Sequence, residues 1–248
     1  MYQLIVYNSY MYKQEKISLI IPAKNEKSNL LRLLPTIPQV IDEVLVVDGK
    51  SIDGTREFLE NYPKVKYLLQ QNSGKGAAIQ LGVNNAKFEY IICMDADGSM
   101  DVNEIPLLLS LLIDKKNDLV KGSRYIYGGG SSDLTAIRSL GNKVLLRIVN
   151  LFFKCSWTDL AYGYFGINKS AYQELGISDY RNYGNGFEIE TVIFCRASRF
   201  RLRIKEFPSL ESKRWTGKSN LMAIPVGLRI LFAIFFERFR NSNHFNPR

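Results

Sequence analysis

Short apolar runs alternate with amphipathic segments along the first half of the chain. Four short runs predict buried strands, at positions 17–21, 44–47, 65–69 and 90–94, and the run at 44–47 is rich in β-branched residues. The segments between them carry apolar residues at helical spacing, and several begin at glycine or aspartate. Strands that alternate with helices in this way predict βαβ units, and therefore an α/β fold with a mainly parallel, Rossmann-like sheet.

The second half of the chain is less regular. It predicts a strand at 118–121, an amphipathic helix at 142–153 and a late strand at 202–206. A glycine-containing turn at 184–186 precedes a predicted helix that carries Glu188 and Glu190. No repeat or evident linker interrupts the chain. We therefore expect an N-terminal extension at 1–16, one catalytic domain at 17–220 and a C-terminal helical segment at 221–248.

No uninterrupted apolar run reaches the ~20 residues of a membrane span. The nearest candidate, at 222–239, is interrupted by Pro225, Gly227, Arg229, Glu237 and Arg238. As a helix it has one broad apolar face, formed by Leu221, Ile224, Leu228, Leu231, Phe232, Phe235 and Phe239. With Arg229, Glu237 and Arg240 opposite, this pattern is typical of a helix lying in a membrane interface. A helix that packs on the core or on a partner subunit is the alternative.

The composition of the 248-residue chain narrows the chemistry. The 33 Lys and Arg residues against 24 Asp and Glu give a formal charge of +9, which favours phosphates, nucleic acid or an acidic membrane as partners. A hydrophobic fraction of 46% excludes a disordered protein. The single histidine, His244, excludes a His-rich metal site and argues against a histidine base. Three widely spaced cysteines and the lack of a signal peptide predict a reducing compartment.

Two carboxylates follow the fourth predicted strand, in the sequence Asp95-Ala96-Asp97. Carboxylates so close together repel each other unless a cation lies between them. Mg²⁺ or Mn²⁺ fits, because either ion takes oxygen ligands and leaves coordination positions for phosphate. An Asp-rich turn is the alternative for the motif by itself. Because Asp48 also ends a strand, and ligands of parallel sheets bind beyond the carboxyl ends of strands, we expect a site here.

Two glycine-containing segments carry cations suited to phosphate. Gly74-Lys75-Gly76 begins a predicted helix, where backbone amides, the positive end of the helix dipole and a lysine all attract anions. The loop at 214–219 carries Arg214, which can bind a diphosphate with two parallel hydrogen bonds, and Lys218 as a point charge. Taken alone, each segment is equally compatible with a glycine turn or a basic surface loop.

The order of these motifs resembles the family-2 glycosyltransferases of GT-A fold. The resemblance rests on the segments 20–26 (IIPAKNE), 46–49 (VVDG), 53–55 (DGT), 74–78 (GKGAA) and 94–98 (MDADG). Within that family, the chain is most similar to the dolichyl-phosphate mannose and glucose synthases. That similarity rests on 121–124 (KGSR), 158–159 (TD), 163–164 (GY) and 214–220 (RWTGKSN).

The resemblance implies a role for each matching position. The nucleotide sugar would lie against Pro22, Lys24, Glu26, Asp48, Lys75, Gly76, Asp95, Ala96 and Asp97. Asp95 and Asp97 would bind Mg²⁺ or Mn²⁺ and, through it, the donor diphosphate. The implied catalytic residues are Asp97, Arg124, Arg214 and Lys218, the last three of which would neutralise phosphates of donor or acceptor. Lys24 replaces a frequent aromatic residue and Gly49 a second aspartate, which leaves UDP and GDP open as the donor nucleotide.

The resemblance also implies an inverting, metal-dependent enzyme that moves a hexose to a polyprenyl phosphate (dolichyl or undecaprenyl) at the cytoplasmic membrane face. Such an acceptor is largely a dianion at pH 7 and needs no protein base. A sugar hydroxyl would need one, and Asp159, Glu188 and Glu190 are the candidates. The QxxRW motif of processive polysaccharide synthases is absent, so we do not expect a polymerase.

Two other functions are alternatives. A soluble family-2 glycosyltransferase would act in the cytoplasm on a small molecule or a saccharide hydroxyl. A basic nucleic-acid-binding protein would explain the charge of +9 but not the carboxylates at the strand ends. We therefore expect a nucleotide sugar, a polyprenyl phosphate and a membrane surface as partners, and no nucleic acid.

Overall fold

The computed structural model describes residues 14–177, 184–217 and 222–240. Its strands are β1 (Ile17–Ala23), β2 (Glu43–Asp48), β3 (Lys66–Leu69), β4 (Tyr90–Cys93), β5 (Leu119–Ser123), β6 (Gly130–Ser131), β7 (Phe165–Asn168), β8 (Ile204–Pro208) and β9 (Leu210–Glu211). Its α-helices are α1 (Lys27–Leu33), α2 (Thr55–Glu60), α3 (Lys75–Asn85), α4 (Ile105–Leu109), α5 (Ala136–Phe153), α6 (Lys169–Glu174), α7 (Ile189–Arg199) and α8 (Ala223–Phe239). Each strand expected from an apolar run is present, with ends shifted by no more than about two residues.

Seven strands form the central sheet, in the order β3-β2-β1-β4-β7-β5-β8. β1 pairs in parallel with β2 and β4, β2 with β3, and β5 with β8. β7 runs antiparallel between β4 and β5. The sequence did not predict β7, because two of its four residues (FGIN) are glycine and asparagine, which are depleted in strands. The expected α/β fold with a mainly parallel sheet is confirmed, with β7 as an exception.

Both faces of the sheet are covered by helices, which explains why its strands are apolar almost throughout. Ile20 and Val47 belong to a core that includes residues of α3, α5, α7 and α8. Their neighbours Ile21 and Val46 belong to a second core, with residues of α1, α2 and α4. Successive residues of a strand face opposite sides, so each central strand contributes to both cores.

α5 begins at Ala136, earlier than the helix predicted at 142–153. Thr135 caps it, because the threonine hydroxyl accepts a hydrogen bond from the amide of Arg138. Before it, β6 pairs with β9 in a separate two-stranded sheet. The additional residues 136–141 place Ile137 and Arg138 on the same helix as the predicted segment.

α8 confirms the expected C-terminal helix, but one of its faces belongs to the core. Ile230, Ala233 and Ile234 are buried. Glu237 is also buried, and its two carboxylate oxygens accept hydrogen bonds from Nε of Arg196 on α7 at 3.0 and 3.1 Å. The prediction that Glu237 lies on a polar outer face is therefore wrong, because this carboxylate is the internal counter-ion of Arg196.

The other side of α8 remains apolar and exposed. Its exposed apolar residues include Ile224, Leu228, Phe232, Phe235, Phe236 and Phe239. Leu221, which was predicted on this face, lies outside the described residues. Across the described ranges, no helix combines the length and hydrophobicity that crossing a membrane requires. The domain boundaries after residues 16 and 220 stay predictions.

Candidate active site

The carboxyl ends of β1, β2 and β4 meet at one edge of the central sheet. Parallel pairing sets Ala23 opposite Asp48 and Ile20 opposite Cys93, so the loops that follow these strands start side by side. A cavity of about 910 Å³ lies at this edge. The predicted site residues that line it are Pro22, Lys24, Glu26, Lys75, Asp95, Ala96, Asp97, Arg124 and Arg214.

Asp95 and Asp97 place their side chains at the wall of this cavity. Asp97 accepts a hydrogen bond from the amide of Ser99 at 3.0 Å, across a turn in which Gly98 has a φ of 78°. Within the described ranges there is no group of three acidic, His or Cys side chains that would hold a metal. Two carboxylates still fit Mg²⁺ or Mn²⁺, because such ions are commonly held by one or two carboxylates together with substrate phosphates and water.

Lys75 lies between two acidic side chains of the cavity wall. Its ammonium is 2.6 Å from Oδ1 of Asp95 and 2.8 Å from Oε1 of Glu190. Burial lowers the pKa of Lys75, but the two carboxylates outweigh burial and the net shift is upward. Burial raises the pKa of Glu190, and the Lys75 charge only partly offsets that rise. Lys75 therefore stays charged at neutral pH and neutralises part of the acidic wall.

The first turn of α3 does not present its amides to the cavity. The amides of Gly76 and Ala77 donate to the carbonyls of Gly186 and Asn185, each at 3.1 Å. A Cβ on Gly76 would lie 1.9 Å from a carbonyl oxygen of the same loop. Gly76 allows a close backbone contact between α3 and the loop at 184–186, and its contact with the nucleotide sugar stays a prediction. Lys75 contributes its side chain to the cavity wall.

Asp48 is fully buried and is not part of the cavity wall. Its carboxylate accepts hydrogen bonds from the amide of Ser51 and from the hydroxyl of Tyr67, both at 3.1 Å. Burial, followed by the Asp48 charge, raises the pKa of Tyr67 to about 12, so this hydroxyl keeps its proton at neutral pH. Gly49 and Lys50, which follow Asp48 in the chain, line the cavity, and the role of Asp48 in holding the base or ribose stays a prediction.

Arg124 reaches the cavity wall with a guanidinium that is already paired. It donates to the two carboxylate oxygens of Asp159 at 2.7 and 3.0 Å, and to Glu211 at 3.0 Å. Burial raises the pKa of Asp159, but the hydrogen bond from Arg124 and the nearby positive charges outweigh burial and hold that pKa below its usual value. Arg124 therefore pairs with two carboxylates of the protein, whereas the sequence predicted that it would neutralise a phosphate. This pairing also argues against Asp159 as a base, because both its oxygens accept from Arg124.

The loop that carries Arg214 folds back over Asp97. The amide of Trp215 donates to the carbonyl of Asp97 at 3.0 Å. Nη2 of Arg214 donates to Oε1 of Glu26 at 2.6 Å, across 188 positions of sequence. The fold therefore brings the predicted cationic loop to the predicted metal ligands. Lys218, predicted in the same loop, lies outside the described residues.

The cavity continues into a groove between α5 and α8, here called the apolar groove. Its α5 residues are Ile137, Leu140, Gly141, Val144, Leu145 and Ile148. Its α8 residues are Ile224, Val226, Gly227, Leu228, Ile230 and Leu231. The rings of Phe152 on α5 and Phe235 on α8 meet edge to face, with centroids 5.3 Å apart. The sequence did not predict this groove, because a helical pattern does not say which two helices will pair.

Asn142 and Arg138 are polar residues of α5 that also line the cavity. Oδ1 of Asn142 accepts hydrogen bonds from the amides of Leu160 and Ala161 at 3.1 and 3.2 Å. Its Nδ2 is buried and has no hydrogen-bond partner among the described residues. A buried amide donor without an acceptor is destabilising, so the burial of this nitrogen costs free energy of folding. Sequence reasoning missed both residues: Arg138 lies before the helix predicted at 142–153, and their spacing of four places them on one face only because the observed helix begins at Ala136.

The chain is similar to known glycosyltransferases along most of its length. The model of glycosyl transferase family 2 matches residues 18–176. Glycosyltransferase AglJ of Haloferax volcanii is 23% identical over 241 residues, which cover 94% of this chain and 74% of that protein. The dolichyl-phosphate β-glucosyltransferase ALG5C of Trichomonas vaginalis is 31% identical over 156 residues. That match covers 53% of this chain and only 46% of the relative.

The fold is also similar to a solved structure. The glucosyl-3-phosphoglycerate synthase of Mycobacterium tuberculosis, in complex with Mn²⁺, UDP and glucosyl-3-phosphoglycerate, gives a TM-score of 0.72 at 18% identity. The similarity covers 96% of this chain and 85% of that one. At this identity it establishes the fold, and it agrees with the GT-A arrangement expected from the motifs.

Proposed function

Because the chain belongs to glycosyl transferase family 2 and is therefore a glycosyltransferase, we propose that it transfers a hexose from a nucleotide sugar to a polyprenyl phosphate. The observation that carries this proposal is the continuity of the cavity, which runs from Asp95 and Asp97 into the apolar groove. A nucleotide sugar matches the polar end, and a phosphate attached to a long hydrocarbon chain matches the other.

The polar end supports a nucleotide sugar bound with a divalent cation. Asp95 and Asp97 would hold Mg²⁺ or Mn²⁺, which when bound neutralises the charge of the leaving diphosphate. Gln70, Asn72 and Ser73, at the end of β3, also line this part of the wall and can form hydrogen bonds with a base or ribose. The similar solved structure contains Mn²⁺ and UDP, and for this chain we propose either UDP or GDP.

The residues at the start of α5 support a phosphate group on the acceptor. Arg138 lines the cavity here and adds a positive charge that can bind a phosphate oxygen, and Asn142 lines the cavity one turn later on the same helix. A phosphate oxygen attacks the anomeric carbon of the sugar, and the bond from that carbon to the nucleoside diphosphate breaks. Attack from the opposite side inverts the configuration. Because the phosphate is largely a dianion at pH 7, these residues have to orient it but remove no proton.

The exposed surface of α5 and α8 supports a location at the cytoplasmic face of a membrane. The exposed apolar residues beside those of α8 are Ile137, Leu140, Val144 and Leu151 of α5. The exposed basic residues of the two helices include Lys143, Arg147, Arg229 and Arg238. Apolar side chains flanked by Lys and Arg are the pattern of a surface that lies on anionic lipid. A polyprenyl chain could then enter the apolar groove from the bilayer.

A panel of radiolabelled nucleotide sugars tests the proposed function. Each donor is offered with polyprenyl phosphate and Mg²⁺ or Mn²⁺, and the product is measured as label extracted into organic solvent. We expect one UDP- or GDP-linked hexose to give lipid-extractable label. Transfer to a water-soluble acceptor such as 3-phosphoglycerate, with none to the lipid, would overturn the lipid acceptor. Retention on nucleic acid without any sugar transfer would overturn the proposal altogether.

Arg214→Ala is expected to lower turnover by about one to two orders of magnitude, and also to lower Tm because it leaves the mostly buried Glu26 carboxylate without its ion-pair partner. The variant removes a charge-assisted phosphate contact worth ~1.5–3 kcal/mol if that contact is made in the transition state. Steady-state kinetics and a thermal melt measure the two effects. Arg203→Ala is the control, because this guanidinium pairs with Asp118 and does not line the cavity. Normal turnover of Arg214→Ala would show that the loop is an ordinary basic surface.

The double variant Phe232→Asn/Phe239→Asn is expected to lose binding to vesicles that contain anionic phospholipid. Both rings are exposed, at 59% and 72%, so their replacement removes apolar contact with lipid and little of the core. Vesicle flotation measures binding, and circular dichroism checks the fold. Ile52→Asn is the control, because Ile52 is 92% exposed in the loop between β2 and α2. Wild-type protein that does not float at low salt would contradict the membrane location.

A further inference from the structure

Lys75, Asp95 and Glu190 form a compact ion triad in the cavity wall. The Lys75 ammonium bridges the two carboxylates at 2.6 and 2.8 Å, and the Lys75 and Glu190 side chains are only 12% and 7% exposed. Glu190 lies in the first turn of α7, so it is anchored in regular structure. Lys75 of α3 and Glu190 of α7 approach Asp95 from one side, while the Arg214 loop contacts Asp97. The cavity wall therefore carries the Lys75–Glu190 pair beside the two aspartates at which we propose that the diphosphate binds.

Gly163 leaves space for this triad, because a side chain at this position would overlap two of its members. A Cβ at this position would lie 2.5 Å from Nζ of Lys75 and 2.8 Å from Oε1 of Glu190. Both distances are too short for non-bonded atoms, so any side chain at 163 would displace the ammonium or the carboxylate. Gly163 itself lines the cavity, so that Lys75 and Glu190 can be reached from within it.

The chemistry of Lys75 and Glu190 matches a diol rather than a phosphate. The carboxylate of Glu190 only accepts hydrogen bonds, whereas the ammonium of Lys75 donates up to three. Adjacent hydroxyl groups of a pyranose ring can donate to the first and accept from the second. A phosphate would be repelled by two carboxylates that share a single ammonium. With the diphosphate at Asp97, a sugar ring directed toward Asp95 would lie beside Glu190, because Lys75 joins these two carboxylates.

We propose that Glu190 and Lys75 bind hydroxyl groups of the transferred hexose and thereby determine which sugar the enzyme accepts. This inference rests on the proposed function, because it needs a nucleotide sugar in the cavity. A site that forms hydrogen bonds with a substrate hydroxyl rejects a sugar in which that hydroxyl is absent or points away, since its buried polar groups are left unpaired. Glu190 is therefore a specificity-determining residue and not a base.

The test compares a donor with the same nucleotide lacking the sugar. Calorimetry with Mn²⁺ gives the Kd of UDP-glucose and of UDP, with GDP-mannose and GDP run in parallel, for the wild type and for Glu190→Gln. We expect the variant to bind the nucleoside diphosphate within about twofold of the wild type, and to bind the matching nucleotide sugar at least roughly tenfold more weakly. Glu104→Gln is the control, because this half-buried carboxylate bonds to the amide of Leu210 outside the cavity.

Gly163→Ala provides a second variant that changes no charge. Its Cβ would displace Lys75 or Glu190, so we expect the same selective loss of nucleotide-sugar binding, and this arm decides the question if Glu190→Gln does not fold. Equal weakening of sugar-bearing and sugar-free nucleotides, or none, would overturn the inference but not the proposed function. A wild-type protein that binds none of the four nucleotides, with or without the sugar, would overturn both.

Discussion

Asp97→Asn is expected to reduce sugar transfer by more than two orders of magnitude. The variant keeps the size of the side chain but removes a charge that Mg²⁺ or Mn²⁺ requires. Stabilisation of a leaving diphosphate by a metal is worth several kcal/mol, and each ~1.4 kcal/mol changes the rate tenfold. The lipid-extraction assay measures transfer. EDTA should abolish transfer by the wild type in the same way, and added Mn²⁺ should restore it.

Two further variants separate the metal from other effects. Asp95→Asn should lose at least as much activity as Asp97→Asn, because it also releases the Lys75 ammonium from its nearest carboxylate. Asp101→Asn is the control, since Asp101 is exposed and caps a turn by accepting from the amide of Asn103, which an asparagine can also do. Full activity of Asp97→Asn, or of the wild type in EDTA, would rule out a metal at these carboxylates.

Glu237→Ala is expected to lower the free energy of unfolding by about 3–5 kcal/mol, because it leaves the buried Arg196 guanidinium without its counter-ion. Deleting residues 222–248 removes the same carboxylate. The deletion also removes the buried residues Ile230, Ala233 and Ile234 and so exposes the part of the core that they cover. We therefore expect an unfolded or insoluble protein. Urea denaturation of the point variant and solubility of the truncated chain measure these effects.

Arg229→Ala is the control on the same helix. Its side chain is exposed, so the substitution should change the free energy of unfolding by less than about 0.5 kcal/mol. A truncated protein that stays folded and merely loses its membrane affinity would contradict the packing of α8 on the core. It would favour instead the separate interfacial helix that the sequence predicted.

The sequence by itself determined six of the seven strands of the central sheet and the edge at which the candidate site lies. Residues 17–21 and 90–94 are largely apolar and flanked by turns, so their strands can be predicted without knowing how the rest of the chain folds. The carboxyl ends of parallel strands meet at one edge, and this rule places Asp95, Asp97 and Lys24 at the same edge of the sheet; that they lie side by side follows from the pairing of β1 with β4, which only the structure shows. The fold and the site edge could therefore be predicted, because both follow from local pattern and a general rule of packing.

Only the tertiary structure decided what each polar residue of that edge does. Asp48 also ends a strand, but its carboxylate is buried and accepts a hydrogen bond from the hydroxyl of Tyr67 on the neighbouring strand. Gly76 also begins a helix, but its amide is bonded to Gly186, which lies far away in sequence. These partners come from other elements of the fold, so no local pattern reveals whether a residue faces a ligand or the protein.

The same limit applies to α8. Its sequence shows a broad apolar face, but the fold divides that face between the core, the apolar groove and the exposed surface. Glu237 looks like a surface residue by its type and is buried because Arg196 on α7 lies opposite it. Helical periodicity fixes which residues share a face of one helix. Which neighbour covers that face depends on contacts between distant segments, and these form only when the whole chain folds.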